Sequence, residues 1–338
     1  MGGRVTLSYR ILSLDGGGIR GVISAVILAE VERLINQPLN EYFDLIAGTS
    51  TGSILGTAVA TGSKSQEIIQ LYQQQGKNIF PYQNYFSPKR LKLLFKYGIS
   101  APKFSDQGLI EVMQEQFGIE SKLSDIPDFL KLLIISYDTL GREPIVFKSW
   151  YEYFADVPLW EACVCSASAP TYFPAHLLNI QGRSYSAIDG GMGATNPSAC
   201  AVAEAIRLKH PIEEISVLSI GTGDASRPIP WHKAASWGLV NWGWEGRLIG
   251  VMFDASSDIH DYITKQVMSE PDIESDYYWS RYLRLDPKIE VDQIDNATTE
   301  HINGLIDFTK QYLQSRSYNQ PEFTHQQLLE KFLGITNG

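Results

Sequence analysis

Gly48-Thr49-Ser50-Thr51-Gly52 sets a serine between two glycines. A short apolar run, residues 45–47, precedes it and has the length of a buried strand. The small-residue stretch 53–60 follows and reads as a helix. A strand, a tight turn and a helix are the context in which a serine projects Oγ from the apex as a nucleophile. Gly48 and Gly52 let strand and helix pass close to that apex. The helix N-terminus behind Ser50 favours developing negative charge. A plain strand-to-helix turn with a capping serine has the same residue types, so the pentapeptide does not decide the matter alone.

A serine hydroxyl needs a base. Asp189, followed by Gly190 and Gly191, closes a short predicted strand at 185–188. An ordinary Asp-Gly turn is the other reading of that position. The six histidines are His176, His210, His232, His260, His301 and His325. All but His176 follow Asp189, so a Ser–Asp–His order is open, but none sits in a glycine-marked loop at a strand end.

A third element precedes both. Residues 5–14 read as the first strand and run into Asp15-Gly16-Gly17-Gly18-Ile19-Arg20-Gly21, with an amphipathic helix predicted over 22–34. Gly16-x-Gly18-x-x-Gly21 fits the dinucleotide fingerprint, which needs an acidic residue at the end of the second strand. The second strand ends in Gly48-Thr49-Ser50 instead. An oxyanion hole fits better: amides of the glycine turn joined by the N–H of Thr51, the residue after the nucleophile.

The elements that position these groups alternate. Strands at 129–137, 144–149 and 215–220 and helices at 65–75, 105–118, 160–167 and 197–207 predict a parallel α/β sheet covered on both faces. Asn196 is expected to cap the helix at 197. Beyond Gly223 the pattern turns helical and aromatic, with helices over 246–268, 296–315 and 324–333 and an edge strand within 277–285. Trp231, Trp237, Trp242 and Trp244 crowd into one span, a rival membrane interface with little charge and a stronger claim to be core. The expected organisation is a catalytic core over 5–223 and a mainly helical part over 224–338 packed on the same domain.

In 338 residues, 44% hydrophobic and 20% charged, there is ample material for a globular core. A net charge of −10 argues against general nucleic-acid binding. Cys163, Cys165 and Cys200 form no disulfide framework, and the first two read as buried thiols. No Cys/His cluster has zinc spacing and no apolar run has membrane-spanning length. Met1-Gly2-Gly3-Arg4-Val5-Thr6 matches the myristoylation pattern, but a strand starting so early leaves little arm. No secretory leader is visible, which predicts a cytoplasmic protein; peripheral membrane association is expected separately, from the basic and aromatic residues of 68–105.

Together, Asp15-Gly16-Gly17-Gly18-Ile19-Arg20-Gly21, Gly48-Thr49-Ser50-Thr51-Gly52 and Asp189-Gly190-Gly191 resemble the patatin-like phospholipases. Ala167-Ser168-Ala169-Pro170-Thr171-Tyr172-Phe173-Pro174 and Ser219-Ile220-Gly221-Thr222-Gly223 support the match, which extends over nearly the whole chain. The resemblance implies a three-layer α/β/α core with a mainly parallel sheet. It also implies a Ser–Asp dyad without a catalytic histidine: Ser50 as nucleophile, Asp189 as base, Gly16, Gly17 and Gly18 lining the oxyanion hole, and Arg20 steadying the loop. The expected activity is hydrolysis of fatty-acyl esters at a membrane or micelle interface, with no metal or cofactor. A Ser-His-Asp esterase for soluble esters and a catalytically silent lipid-binding protein are the alternatives. One stretch lies outside these motifs. Residues 68–105 contain no Asp or Glu, while Lys77, Lys89, Arg90, Lys92, Lys96 and Lys103 alternate with Phe and Tyr, including Tyr85. Lys89, Arg90, Lys92 and Lys96 are the expected contacts to an anionic membrane.

Overall fold

β-Branched and leucine-rich runs form the centre of the sheet. The computed structural model describes residues 9–84, 86–224, 228–243, 247–269, 281–290 and 293–335. Eight strands pair in one sheet: β1 (Tyr9–Leu14), β2 (Leu45–Thr49), β3 (Lys131–Asp138), β4 (Glu143–Lys148), β5 (His176–Ile180), β6 (Arg183–Asp189), β7 (Ile215–Ile220) and β8 (Tyr282–Leu285). Helices of eight residues or more are α1 (Gly21–Ile35), α2 (Thr51–Ala60), α3 (Ser65–Ile79), α4 (Gln107–Phe117), α5 (Leu159–Ala167), α6 (Ser198–Arg207), α7 (Arg247–Met268), α8 (Thr299–Gln314) and α9 (His325–Phe332).

Side chains alternate across the strands and divide the core in two. Leu12, Leu14, Ile46, Leu132, Ile134 and Leu218 face one way, into a large cluster with α1 to α5, α8 and α9. Ile11, Leu45, Ala47, Leu133, Ile135 and Val217 face the other way, onto α6 and the end of α7. The result is a three-layer α/β/α core. Strands buried on both faces explain the continuous apolar runs at β2, β3 and β7.

Hydrogen-bonded neighbours follow the path β5-β6-β3-β2-β1-β7-β8, and β4 takes the other edge of β3. β3, β2, β1, β7 and β8 are parallel, whereas β4 and β6 run antiparallel to β3 and β5 antiparallel to β6. The sheet is therefore mostly parallel, as expected, with its antiparallel pairings confined to β4, β5 and β6. Strand β5 was not foreseen. Its His176 and Asn179, with Pro174 just before it, give little strand signal, and pairing with β6 supplies the order that local propensity lacks.

The pairings of β3 position the chemistry. β2 and β4 both pair with residues 133–135 of β3, and β4 and β6 both pair with 136–138, so β2 and β6 share one edge of β3. They meet there end to end: Thr49 is opposite Ile135 and Asp189 is opposite Ser136.

Residues 1–8, Tyr85, Trp244, Gly246 and 270–280 lie outside the described residues, and with them the myristoylation pattern and the first part of the strand expected at 277–285. The Trp-rich span is not core. Trp231 is 83% exposed, and Trp237 and Trp242 pack edge to face on each other, half-buried, with ring centroids 5.1 Å apart. Cys163 and Cys165 are buried, as expected. No helix among the described residues is long and apolar enough to cross a membrane.

Candidate active site

Ser50 is held at φ 54°, ψ −124°, in a left-handed backbone region that non-glycine residues rarely adopt. Several bonds hold it there. Its N–H donates to Ser166 Oγ at 2.8 Å, and Ser166 Oγ donates to the Ile135 carbonyl at 2.5 Å. The Ser50 carbonyl accepts from Ser53 N at 2.9 Å and Ser53 Oγ at 2.6 Å. The two motif glycines serve close approach: a Cβ on Gly48 would lie 2.2 Å from the Gly52 carbonyl oxygen, and one on Gly52 2.0 Å from the Leu14 carbonyl oxygen. The turn thus presses against the end of β1, where the glycine loop begins.

Ser50 Oγ donates directly to Asp189 Oδ2 at 2.6 Å. The other carboxylate oxygen accepts from Gly191 N at 2.7 Å. Asp189 is fully buried, and desolvation pushes its carboxyl up to about 6, against the opposing pull of the Ser50 and Gly191 hydrogen bonds. A carboxylate so raised is a stronger proton acceptor that is still ionised at neutral pH. The end of α5 fastens both partners. Besides binding the Ser50 amide, Ser166 offers its carbonyl to Gly190 N at 3.2 Å, and the Ser168 carbonyl accepts from Asp189 N at 3.0 Å. Sequence reading gave Ser166 and Ser168 no role. A serine in a small-residue helix carries no mark of the backbone groups it will meet.

The histidines are engaged elsewhere. His176 meets Glu161 at 3.0 Å, His210 stacks on Tyr9, His260 meets the Ser256 carbonyl at 2.7 Å and His325 stacks on Tyr312. His232 is exposed, and partial burial lowers the pKa of His301. Among the described residues no histidine hydrogen-bonds to Ser50 or Asp189. Nor does any group of His, Cys, Asp and Glu there have an arrangement that would hold a metal ion.

The glycine loop meets Ser50 as adjacent parallel strands require, with Leu14 opposite Gly48. Its amides are not equivalent, which corrects one expectation: Gly16 N donates to the Thr195 carbonyl at 3.0 Å and is not available to an oxyanion. The N–H groups of Gly17, Gly18 and Thr51 have no protein acceptor among the described residues, and all three border the cavity on which Ser50 opens. Arg20 is buried and closes the turn through its backbone, donating to the Gly17 carbonyl at 3.2 Å. Asp15, at the head of the loop, is anchored by Arg284 from β8: Nη2 stands 2.7 Å from Oδ2. Burial raises the Asp15 carboxyl and the guanidinium opposes that rise.

A cavity opens over Ser50 and Asp189; with the solvent at its mouth included, the space between its walls is about 730 Å³. Away from the dyad and the loop amides its walls are apolar, with Ile54 of α2, Leu71 of α3, Leu109 and Met113 of α4, Phe173 and Phe253.

The expected basic face also needs correction. Arg90 is only 8% exposed, and its guanidinium turns inward to the carbonyls of Ala101 and Pro102. Lys103 is buried against Asp295. Lys89, Lys92 and Lys96 are exposed.

Residues 12–201 match the family described as patatin-like phospholipase. Patatin-like protein 4 of Arabidopsis thaliana is 28% identical, covering 90% of this chain and 83% of its own length. Patatin-like protein 2 of the same plant is 32% identical over 79% of this chain and 74% of its own. A cGAMP-activated phospholipase of Vibrio cholerae is 28% identical over 96% of this chain and 94% of its own. The chain belongs to the patatin-like phospholipase family, and is a hydrolase of ester bonds.

Proposed function

We propose that this protein hydrolyses fatty-acyl esters of membrane glycerolipids through a Ser50–Asp189 dyad. The observation that carries the reading is the direct 2.6 Å hydrogen bond from Ser50 Oγ to a buried carboxylate. The apolar cavity beside it suits an acyl chain. The relative named as a phospholipase, matched over 96% of this chain, supports a phospholipid substrate.

Asp189 takes the Ser50 proton as Oγ attacks the ester carbonyl. The carbonyl oxygen becomes an oxyanion within reach of the Gly17, Gly18 and Thr51 amides. One such donor is typically worth about 3 kcal/mol of barrier. The carbon–oxygen bond to the glycerol then breaks, and Asp189 returns its proton to the departing alkoxide. Water gives a proton to Asp189 and adds to the acyl-enzyme. The acyl–serine bond breaks, the proton passes back to Ser50, and the fatty acid is released.

The test is mass spectrometry of products from a mixed membrane-lipid extract, alongside labelling by a fluorophosphonate probe. Free fatty acid and lysolipid are expected from the parent, and neither these nor label from Ser50→Ala. Turnover of short soluble esters alone would favour a soluble esterase. No turnover and no labelling would leave a lipid-binding protein.

A further inference from the structure

Residues 86–102 form an excursion whose flanking segments are clamped together. The Tyr82 hydroxyl donates to the Lys103 carbonyl, and the rings of Phe80 and Tyr82 pack on Phe104 with centroids 5.5 Å and 5.0 Å away. The N–H groups of Lys103 and Phe104 donate to the carbonyls of Thr171 and Tyr172 at 2.8 Å and 2.7 Å. Phe80, Tyr172 and Phe173 line the catalytic cavity. The neck of the excursion is therefore part of the cavity wall.

Beyond the neck, Arg90 and Leu93 turn inward and hold the excursion together. Leu94 is half-buried, and four other large apolar side chains turn outward: Phe86 is 91% exposed, Phe95 89% and Ile99 94%, with Leu91 one turn before Phe95. Exposed Lys89, Lys92 and Lys96 lie among them. So many unpartnered apolar groups in one short segment mark an interaction surface. The charge says what kind. The chain carries −10, yet residues 68–105 contain no acidic side chain.

We propose that this excursion docks the protein on an anionic phospholipid bilayer. Phe86, Leu91, Phe95 and Ile99 enter the boundary between head groups and acyl chains, and the lysine ammonium groups meet the phosphates. Because its neck walls the cavity, docking sets the entrance to Ser50 beside its substrate; this purpose rests on the lipid-hydrolase reading above. The exposed apolar face of α7, with Leu248, Met252 and Ile259, is the rival surface. It carries the exposed carboxylates Asp254 and Asp258, which an anionic membrane repels.

The experiment is co-sedimentation of the Ser50→Ala protein, which leaves vesicles intact, with phosphatidylcholine vesicles containing or lacking phosphatidylglycerol. Binding is expected only with phosphatidylglycerol and should weaken as salt rises. Each lysine at an anionic surface contributes about fivefold, so K89E/K92E/K96E should weaken binding at least about 100-fold. F86S/F95S/I99S should also weaken it. Thermal unfolding of both variants at the parent temperature shows that the fold is kept. Parent-like binding by either variant, or equal binding to pure phosphatidylcholine, overturns the proposal. Vesicle binding with no fatty-acid release by the Ser50 protein would keep the docking surface and remove the hydrolase reading.

Discussion

Arg284 reaches Asp15 across 269 positions of sequence, its Nη2 standing 2.7 Å from the carboxylate Oδ2. The same nitrogen meets Asp286 at 2.7 Å, while Nη1 donates to Ser219 Oγ at 2.9 Å. The guanidinium thus joins β8, β7 and the head of the glycine loop. The strand that carries it belongs to the C-terminal part, so that part helps position the candidate oxyanion amides.

Replacing Arg284 with Met keeps most of the volume but leaves Asp15 buried without its counter-charge. Breaking a buried pair in this way typically costs about 3–5 kcal/mol. Urea unfolding of R284M should show a loss of that order, and the folded fraction should turn over more slowly because the loop loses its anchor. A loss below about 1 kcal/mol would mean that Asp15 is held without the guanidinium, by its backbone and the Ser257 hydroxyl 3.3 Å from Oδ2.

The pKa of Asp189 links activity and stability in opposite directions. The proposed base must be ionised, so kcat/KM should rise with pH through about 6 and level off above it. For stability the sign is reversed. The folded carboxyl titrates near 6 and the unfolded one near 4. Between those values the native state holds a proton that the unfolded chain has released, so stability falls as pH rises through that window. Asp189→Asn removes this penalty and can still donate to Ser50 Oγ while accepting from Gly191. It should be on the order of 2–3 kcal/mol more stable than the parent at pH 8, indistinguishable near pH 3, and about 10²–10⁴-fold less active. Single alanine changes at the six histidines should cost far less activity. A histidine variant as impaired as D189N, yet folded, would replace the dyad with a triad.

Gly17 tests the oxyanion loop. A Cβ there would lie 2.0 Å from Thr222 Oγ1, and Thr222 donates to the Gly16 carbonyl at 2.8 Å. Gly17→Ala must displace Thr222 or the loop, and loss of one oxyanion donor typically costs about 10²–10³ in kcat. The expected signature is a fall in kcat with KM little changed. Adding Thr222→Gly makes room for the methyl group and should restore part of the rate. No recovery in the double variant would place the damage outside this contact.

The turn around Ser50 and the glycine loop are legible in the sequence because neighbouring residues fix their shape, whereas Asp189 stands out from an ordinary Asp-Gly turn only through the joint resemblance of the three motifs to a family. A strained turn needs Gly48 and Gly52 at its sides, and a loop that passes a helix N-terminus needs small residues. What could not be read was register. Nothing in residues 183–189 says that β6 runs against β3 and stops where β2 stops, yet that meeting, Thr49 at Ile135 and Asp189 at Ser136, brings the Ser50 hydroxyl and the Asp189 carboxylate together. Side-chain direction was equally hidden. Arg90 and Lys89 are neighbours of like charge, but Arg90 finds carbonyls at 101 and 102 while Lys89 faces solvent. The tryptophans misled because size and apolarity predict burial only where another layer lies above them.

The apolar cavity makes a prediction about chain length. Leu109 and Met113 come from α4, while the dyad is built from β2 and β6, so these two residues belong to a wall contributed by a separate helix. Met113 is fully buried. Met113→Trp adds bulk to that wall and should narrow the space for an acyl chain without touching Ser50, Asp189 or the loop amides. Hydrolysis of a long-chain ester should fall at least about tenfold relative to a butyryl ester, a change of about 1.4 kcal/mol in discrimination. Overpacking typically costs about 1–3 kcal/mol of stability, so Leu109→Phe serves as a milder companion with the same expected direction. The measurement is kcat/KM across a series of ester chain lengths at fixed head group. An equal loss at every length, in both variants with the fold intact, would show that the acyl chain lies elsewhere.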